Sequence, residues 1–256
     1  MRETILQTLK DIEQANNIKI IYAVESGSRA WGFASTDSDY DVRYIYIRRP
    51  EDYLRVDTIR DTIEGPLDEI LDFSGWDLRK MLELLRRSNP SLMEWYQSPI
   101  VYLTTDLWEP LAQRIPEFFQ VKSNMHHYLS MLYSNWNRNL LPAQDAVKVK
   151  KYLYVLRPLL CCRWLERYGT VPPVPFDQLR EAVLPPELAG VMADLLEKKK
   201  HAPETELIPR IPELDAFIIE ELPRLTRVRD NLPQQPLPEY DGVNELFRQL
   251  LNAAWG

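Results

Sequence analysis

The stretch Glu25-Ser-Gly-Ser-Arg-Ala-Trp-Gly-Phe-Ala-Ser-Thr-Asp-Ser-Asp-Tyr-Asp-Val-Arg43 decides how this chain is read, because it joins a small turn to two closely spaced carboxylates. Just before it, Ile18-Lys-Ile-Ile-Tyr-Ala-Val-Glu25 is rich in β-branched and aromatic residues and short enough for a buried strand. Gly27-Ser28 therefore falls where that strand gives way to a turn, and such a turn brings backbone N–H groups close to an anion. Arg29 to Phe33 is expected to form a short helix whose first amides, with the Ser28 hydroxyl, face a bound anion such as a triphosphate. Gly32 is expected to let that helix pack tightly. The next strand reads from Tyr40 to Ile47, and alternation along it sets Asp39, Asp41 and Arg43 on one face and Tyr40, Val42 and Tyr44 on the other. Converging carboxylates repel unless a cation sits between them, and oxygen ligands on a rigid strand suit Mg²⁺ or Mn²⁺ bridging substrate phosphates. Two such ions about 3.5–4 Å apart activate an attacking hydroxyl and stabilise a leaving pyrophosphate. Arg43, on the same face, either neutralises phosphate and orients the carboxylates or forms an ordinary ion pair with Asp41.

The Gly-Ser turn and the Asp-hydrophobic-Asp pair resemble the nucleotidyltransferase signature of the DNA polymerase beta superfamily. Together with Ser74-Gly-Trp-Asp-Leu-Arg-Lys80 and Ser88-Asn-Pro-Ser-Leu-Met-Glu-Trp95, they resemble more narrowly its RNA-repair-pathway nucleotidyltransferases, from about Ile20 to about Leu165. The resemblance implies a polymerase-beta-like sheet with flanking helices and a pyrophosphate-releasing transfer from an NTP, with ATP expected, to an acceptor hydroxyl. An RNA end is the favoured acceptor, and a protein hydroxyl would use the same constellation. A nucleotide- or RNA-binding regulator that keeps the fold without catalysis is the remaining alternative. The resemblance also implies a third carboxylate on a neighbouring strand. Val56 to Glu64 reads as one strand, Gly65-Pro66 as a turn, and Leu67 to Phe73 as the returning strand. Asp72, between Leu71 and Phe73, is the chosen candidate and Glu64 the fallback, as a metal ligand and as the base for the acceptor proton. The implied site thus comprises Asp39, Asp41 and Asp72 as catalytic and metal-binding groups, with Gly27, Ser28, Arg29 and Arg43 at the nucleotide. Asp37 reads as turn chemistry, and Asp77 as part of the first turn of the next helix, with Ser74 as its cap.

Farther on, Lys150, Tyr154 and Arg157 share one face of a helix beside a stripe of Leu153, Leu156, Leu160 and Trp164. In the resembling family this segment lies near the active site, which implies phosphate contacts for Lys150 and Arg157. The other reading is a solvated face next to a core stripe. Pro158 is expected to kink this helix. His126 and His127, adjacent on a helix, point about 100° apart and cannot serve one site together.

With 256 residues, 45% of them hydrophobic, the chain can bury a full core. Its net charge of −7 argues against nonspecific coating of nucleic acid, while leaving room for a local basic groove. Cys161 and Cys162 are adjacent, a poor geometry for a disulfide, and read as reduced thiols of a cytoplasmic protein. The opening residues form an amphipathic helix rather than a signal peptide, and no window approaches the roughly 18 apolar residues of a membrane span. The expected order is a helix (2–16), strands (18–25, 40–48, 55–64, 67–73), a helix (76–87) and a short strand at 100–103. Helices follow at 105–118, 121–138, 144–168, 176–199, 211–230 and 239–254. The fold class is therefore α+β, with a catalytic domain over 1–104 and an α-helical domain over 105–256. Glu197-Lys-Lys-Lys-His201 reads as a charged helix end.

Overall fold

Apolar alternation in the first half of the chain builds a sheet, and 3.6-residue periodicity in the second half builds helices. A computed structural model describes residues 1–66, 70–143, 145–201 and 206–256. In chain order the first elements are α1 (Arg2–Asn16), β1 (Lys19–Glu25), α2 (Gly27–Trp31), β2 (Tyr40–Ile47), α3 (Pro50–Tyr53), β3 (Thr62–Glu64), β4 (Leu71–Asp77), α4 (Leu78–Arg86), α5 (Pro90–Tyr96) and β5 (Val101–Thr104). There follow α6 (Glu109–Ala112), α7 (Val121–Asn135), β6 (Ala146–Lys148), α8 (Val149–Tyr168), α9 (Phe176–Val183), α10 (Ala189–His201), β7 (Leu207–Pro209), α11 (Pro212–Asn231) and α12 (Tyr240–Trp255). The protein is mixed α+β, as expected.

The chain forms two compact units. A sheet unit comprises Met1–Ala30, Asp39–Phe119 and Pro236–Gly256, and a helical unit comprises Trp31–Ser38 and Gln120–Gln235. The expected cut at 104/105 falls inside the sheet unit, which regains the chain at its end through α12. The sheet runs β3-β4-β2-β1-β5, with β2 and β4 parallel and every other pair antiparallel. On one face, Ile5, Leu9 and Ile12 of α1 pack with Ile20, Val42, Tyr44, Tyr46 and Phe73. On the other, α4 brings Leu78, Met81, Leu82 and Leu85 to β2 and β4, and α12 packs on α4.

Several expected elements are corrected. The strand expected over 55–64 shortens to Thr62–Glu64, since Arg55, Asp57, Arg60 and Asp61 leave no apolar face to bury, and Val56 is fully exposed. The strand expected over 67–73 becomes β4, Leu71–Asp77, and residues 67–69 lie outside the described residues. Ser74 is therefore not a helix cap but lies mid-strand. Gly75 makes this register possible, because a Cβ there would meet the Tyr44 ring at 2.1 Å. The helix expected over 105–118 reduces to α6 and a short 3₁₀ turn at Ile115–Phe118, with Pro110 and Pro116 each in a first turn. The helix expected over 176–199 divides into α9 and α10 at Pro185-Pro186.

In the helical unit, α7, α8 and α11 pack together, with α9 and α10 against α8. The helix α8 continues through Pro158. The expectation of helices alone from 105 onward missed the ribbon β6–β7, paired antiparallel over three residues each. That ribbon takes the start of the helix expected over 144–168; of that span, Gln144 lies outside the described residues. Cys161 and Cys162 are both buried and free of any disulfide. No helix among the described residues is long and apolar enough to cross a membrane.

Candidate active site

The sheet unit places the signature residues where β1 ends and β2 begins. Ser26 N–H donates to the Asp41 carbonyl at 2.8 Å, and Glu25 N–H donates to the Ile100 carbonyl at 2.9 Å. Helix α2 starts at Gly27, two residues earlier than expected, so Gly27 and Ser28 belong to its first turn rather than to a separate loop. Gly27 has φ +60°, and an added Cβ would lie 2.0 Å from Asp41 Oδ2. The Asp41 carboxylate is thus seated directly against the glycine. Gly32 plays a different part from the one expected: its φ of +85° ends α2, but a Cβ there would meet nothing within 4 Å. Its use is conformational rather than close packing.

Register across the parallel β2–β4 pair sets Asp41 opposite Asp72 and Arg43 opposite Ser74. Arg43 lies between the two acids, one guanidinium nitrogen donating to Asp41 Oδ1 at 2.9 Å and to Asp72 Oδ2 at 2.8 Å. Its other terminal nitrogen donates to the Asp72 carbonyl at 3.0 Å. Of the two readings of Arg43, its ion pair with Asp41 is present, and it extends to Asp72. Burial pushes the Asp41 carboxyl above its ordinary value; Arg43 opposes the rise, and the negative charges of Asp72 and Asp39 add to it. Asp39 itself is exposed just before β2. Arg29 is engaged locally, its Nε donating to the Asp39 carbonyl at 3.0 Å and its guanidinium lying 3.7 Å from the Tyr40 ring centre. Glu64 is on the exposed edge strand, where it pairs with Arg60 at 3.0 Å. The acid that stands across from Asp41 is therefore Asp72.

A buried residue that sequence reasoning left without a role supports this end of the sheet. Glu25, 1% exposed, accepts from the Asp41 N–H at 2.7 Å through Oε1 and from the Tyr102 hydroxyl through Oε2. Ser98 Oγ donates to the Glu25 carbonyl at 2.6 Å. Burial raises the Glu25 carboxyl above its usual range, against the pull of the Tyr102 hydroxyl and the Asp41 N–H. The available signal was an acid ending an otherwise apolar buried strand, which is rare without a dedicated partner.

Lys150 and Arg157 belong to the helical unit, while Gly27 to Ala30, Asp39, Asp41, Arg43 and Asp72 belong to the sheet unit. Arg157 is only 2% exposed, and its guanidinium lies 4.4 Å from the Trp31 ring centre, so the solvated-face reading fails for it. Lys150 and Tyr154 are half-buried, with the Tyr154 ring edge-on to Trp31 at 6.1 Å. Asp77 is the N-cap of α4 itself, accepting from Arg79 N–H at 2.8 Å and from the Tyr53 hydroxyl at 3.1 Å. Among the described residues, no three His, Cys, Asp or Glu side chains gather as an ion-binding group.

The donor chemistry nonetheless suits a hard divalent ion: Asp39, Asp41 and Asp72 offer only carboxylate oxygens, and their charges act on one another at Asp41. A family model described as the RNA repair pathway DNA polymerase beta family matches residues 1–249. The chain is also 45% identical over 256 residues to a Bacillus subtilis (strain 168) protein described as uncharacterized protein YcgL, covering 98% of this chain and 96% of that one.

Proposed function

Because the chain belongs to the RNA repair pathway DNA polymerase beta family, we propose that it is a polymerase-beta-like nucleotidyltransferase, moving a nucleoside monophosphate from an NTP, ATP first, to a hydroxyl at an RNA end and releasing pyrophosphate. The observation that carries this reading is the facing of Asp41 and Asp72 across parallel strands, with Gly27 seated on the Asp41 carboxylate. In the proposed mechanism Gly27 and Ser28 hold the triphosphate with their backbone N–H groups and the Ser28 hydroxyl. Asp39, Asp41 and Asp72 would hold Mg²⁺ or Mn²⁺, which supplies charge neutralisation at the phosphates and activation of the acceptor oxygen. Asp72, the more exposed partner of Arg43, takes the proton from the attacking hydroxyl. Arg43 keeps the two acids apart in charge and releases Asp41 as the phosphates arrive. Glu25 holds the Asp41 backbone so that its carboxylate stays aimed at Gly27. Arg29 braces the turn through the Asp39 carbonyl.

The test is incubation with α-labelled NTPs and Mg²⁺ or Mn²⁺ in the presence of separate RNA and protein acceptors. Label on RNA that disappears in Asp39→Ala and Asp41→Ala is the expected result. Label on protein would reassign the acceptor, and nucleotide binding without transfer to either would leave a binding protein.

A further inference from the structure

The segment that joins the two halves of the signature, Trp31–Ser38, is part of the helical unit, and a lysine buried there holds it. Within Glu197-Lys-Lys-Lys-His201 at the end of α10, Lys198 and Lys200 are exposed as a solvated helix end requires, but Lys199 is 2% exposed. Its Nζ donates to Ser35 Oγ at 2.6 Å. Ser35 and Ser38, themselves buried, close a turn on each other: their hydroxyls lie 3.0 Å apart, Ser35 N–H donates to Ser38 Oγ at 3.0 Å, and Ser38 N–H donates to the Ser35 carbonyl at 3.2 Å. An ammonium is retained in an interior only where its donors find acceptors, so the position is specific rather than incidental. Two apolar anchors flank the turn. Phe33 meets Phe176 of α9 edge-on at 5.6 Å, and Trp31 lies under Arg157 of α8.

We propose that Lys199 is a positioning residue for the nucleotide site: by locking the Ser35–Ser38 turn it fixes where the chain resumes as Asp39-Tyr40-Asp41. Both ends of the held segment are covalently part of the signature, since Trp31 ends the helix begun at Gly27 and Ser38 precedes Asp39. A turn displaced by an ångström carries Asp39 with it, and catalytic groups tolerate little such error. This proposal rests on the nucleotidyltransferase reading for its effect on nucleotide, though not for its effect on the turn.

The experiment compares wild type, Lys199→Met, Ser35→Ala and the conservative Ser35→Thr by hydrogen exchange of peptides covering 31–41, by ATP titration with Mg²⁺, and by KM and kcat for transfer. In Lys199→Met and Ser35→Ala, exchange at 35–39 should rise about tenfold or more while the sheet strands stay unchanged. ATP affinity should fall about five- to tenfold, and Ser35→Thr, which keeps the hydroxyl, should restore both. If Lys199→Met fails to fold, Ser35→Ala carries the comparison, as it removes one oxygen. Folded variants with unchanged exchange at 35–39, or with raised exchange but wild-type ATP affinity and kinetics, would overturn the proposal. A wild-type protein that binds no ATP would sink the nucleotidyltransferase reading instead, and the exchange data would still decide whether Lys199 holds the turn.

Discussion

Gly27 carries two constraints at once, a left-handed backbone and the absence of a side chain where Asp41 Oδ2 sits. Gly27→Ala therefore forces either the turn or the carboxylate to move. It is expected to cost about 1–3 kcal/mol of stability and to abolish measurable ATP binding, read by thermal melting and by titration. The dipeptide Gly27-Ser28 was legible as a turn, but the intimacy of Gly27 with Asp41 was not, since it depends on how β1 and β2 pair. Asp72 and Glu64 were likewise inseparable by local pattern, each an acid next to apolar residues. Parallel register with Asp41 distinguishes Asp72, whereas Glu64 is occupied with Arg60. Asp72→Asn is expected to lower kcat by roughly a hundredfold or more, and Glu64→Gln to leave it within about twofold. A reversed order would transfer the catalytic role to Glu64.

At the level of elements, β4 is the instructive case. Gly65-Pro66 between two apolar runs reads as a hairpin turn, and β3 and β4 do pair antiparallel. What was not legible is that β4 starts only at Leu71 and takes the central strand β2 as a parallel partner on its other side. A hairpin is signalled by neighbours in sequence, whereas a parallel pair is brought together from afar and leaves no local mark. The shift makes Asp77 the cap of α4, buried and bonded to Tyr53. Asp77→Ala should cost about 1–3 kcal/mol by leaving the Arg79 N–H and Tyr53 hydroxyl without an acceptor. Asp77→Asn, which keeps the cap oxygen, should lose less than half of that in urea unfolding. The α4 stripe itself was readable in advance, because Leu78, Met81, Leu82 and Leu85 repeat at helical spacing and are all buried.

On the scale of the molecule, the final helix belongs to the sheet unit. Val243, Leu246 and Leu250 of α12 are buried, Phe247 meets Tyr53 edge-on, and Tyr240 accepts from Arg86 at 3.0 Å. Ending the chain at Gln235 would expose these contacts, and at about 1.5–3 kcal/mol for each lost aliphatic side chain the sheet unit should melt at least about 10 °C lower in calorimetry. The helical unit has its own electrostatic anchor. Burial would raise the Glu221 carboxyl, but hydrogen bonds from Arg224 at 2.6 Å and Arg163 at 2.8 Å outweigh it and hold the group below its usual range. A lowered carboxylate stabilises the fold above its unfolded value of about 4.3 and loses that contribution as pH falls toward its folded value. The stability gap between wild type and Glu221→Gln in chemical unfolding should therefore be full at neutral pH and narrow as the pH drops below about 4. The sequence alone determined the α+β class, the family, the paired acids at the start of β2 and the apolar faces of α1 and α4, because these follow from composition, short spacing and periodicity. Only tertiary structure decided that Asp72 faces Asp41, that Glu25 and Lys199 are buried, that the signature's linking segment is held in the helical unit, and that α12 completes the sheet unit. Those outcomes depend on which distant segments come together, and contacts across tens of residues of chain are set by packing of the whole rather than by any local preference.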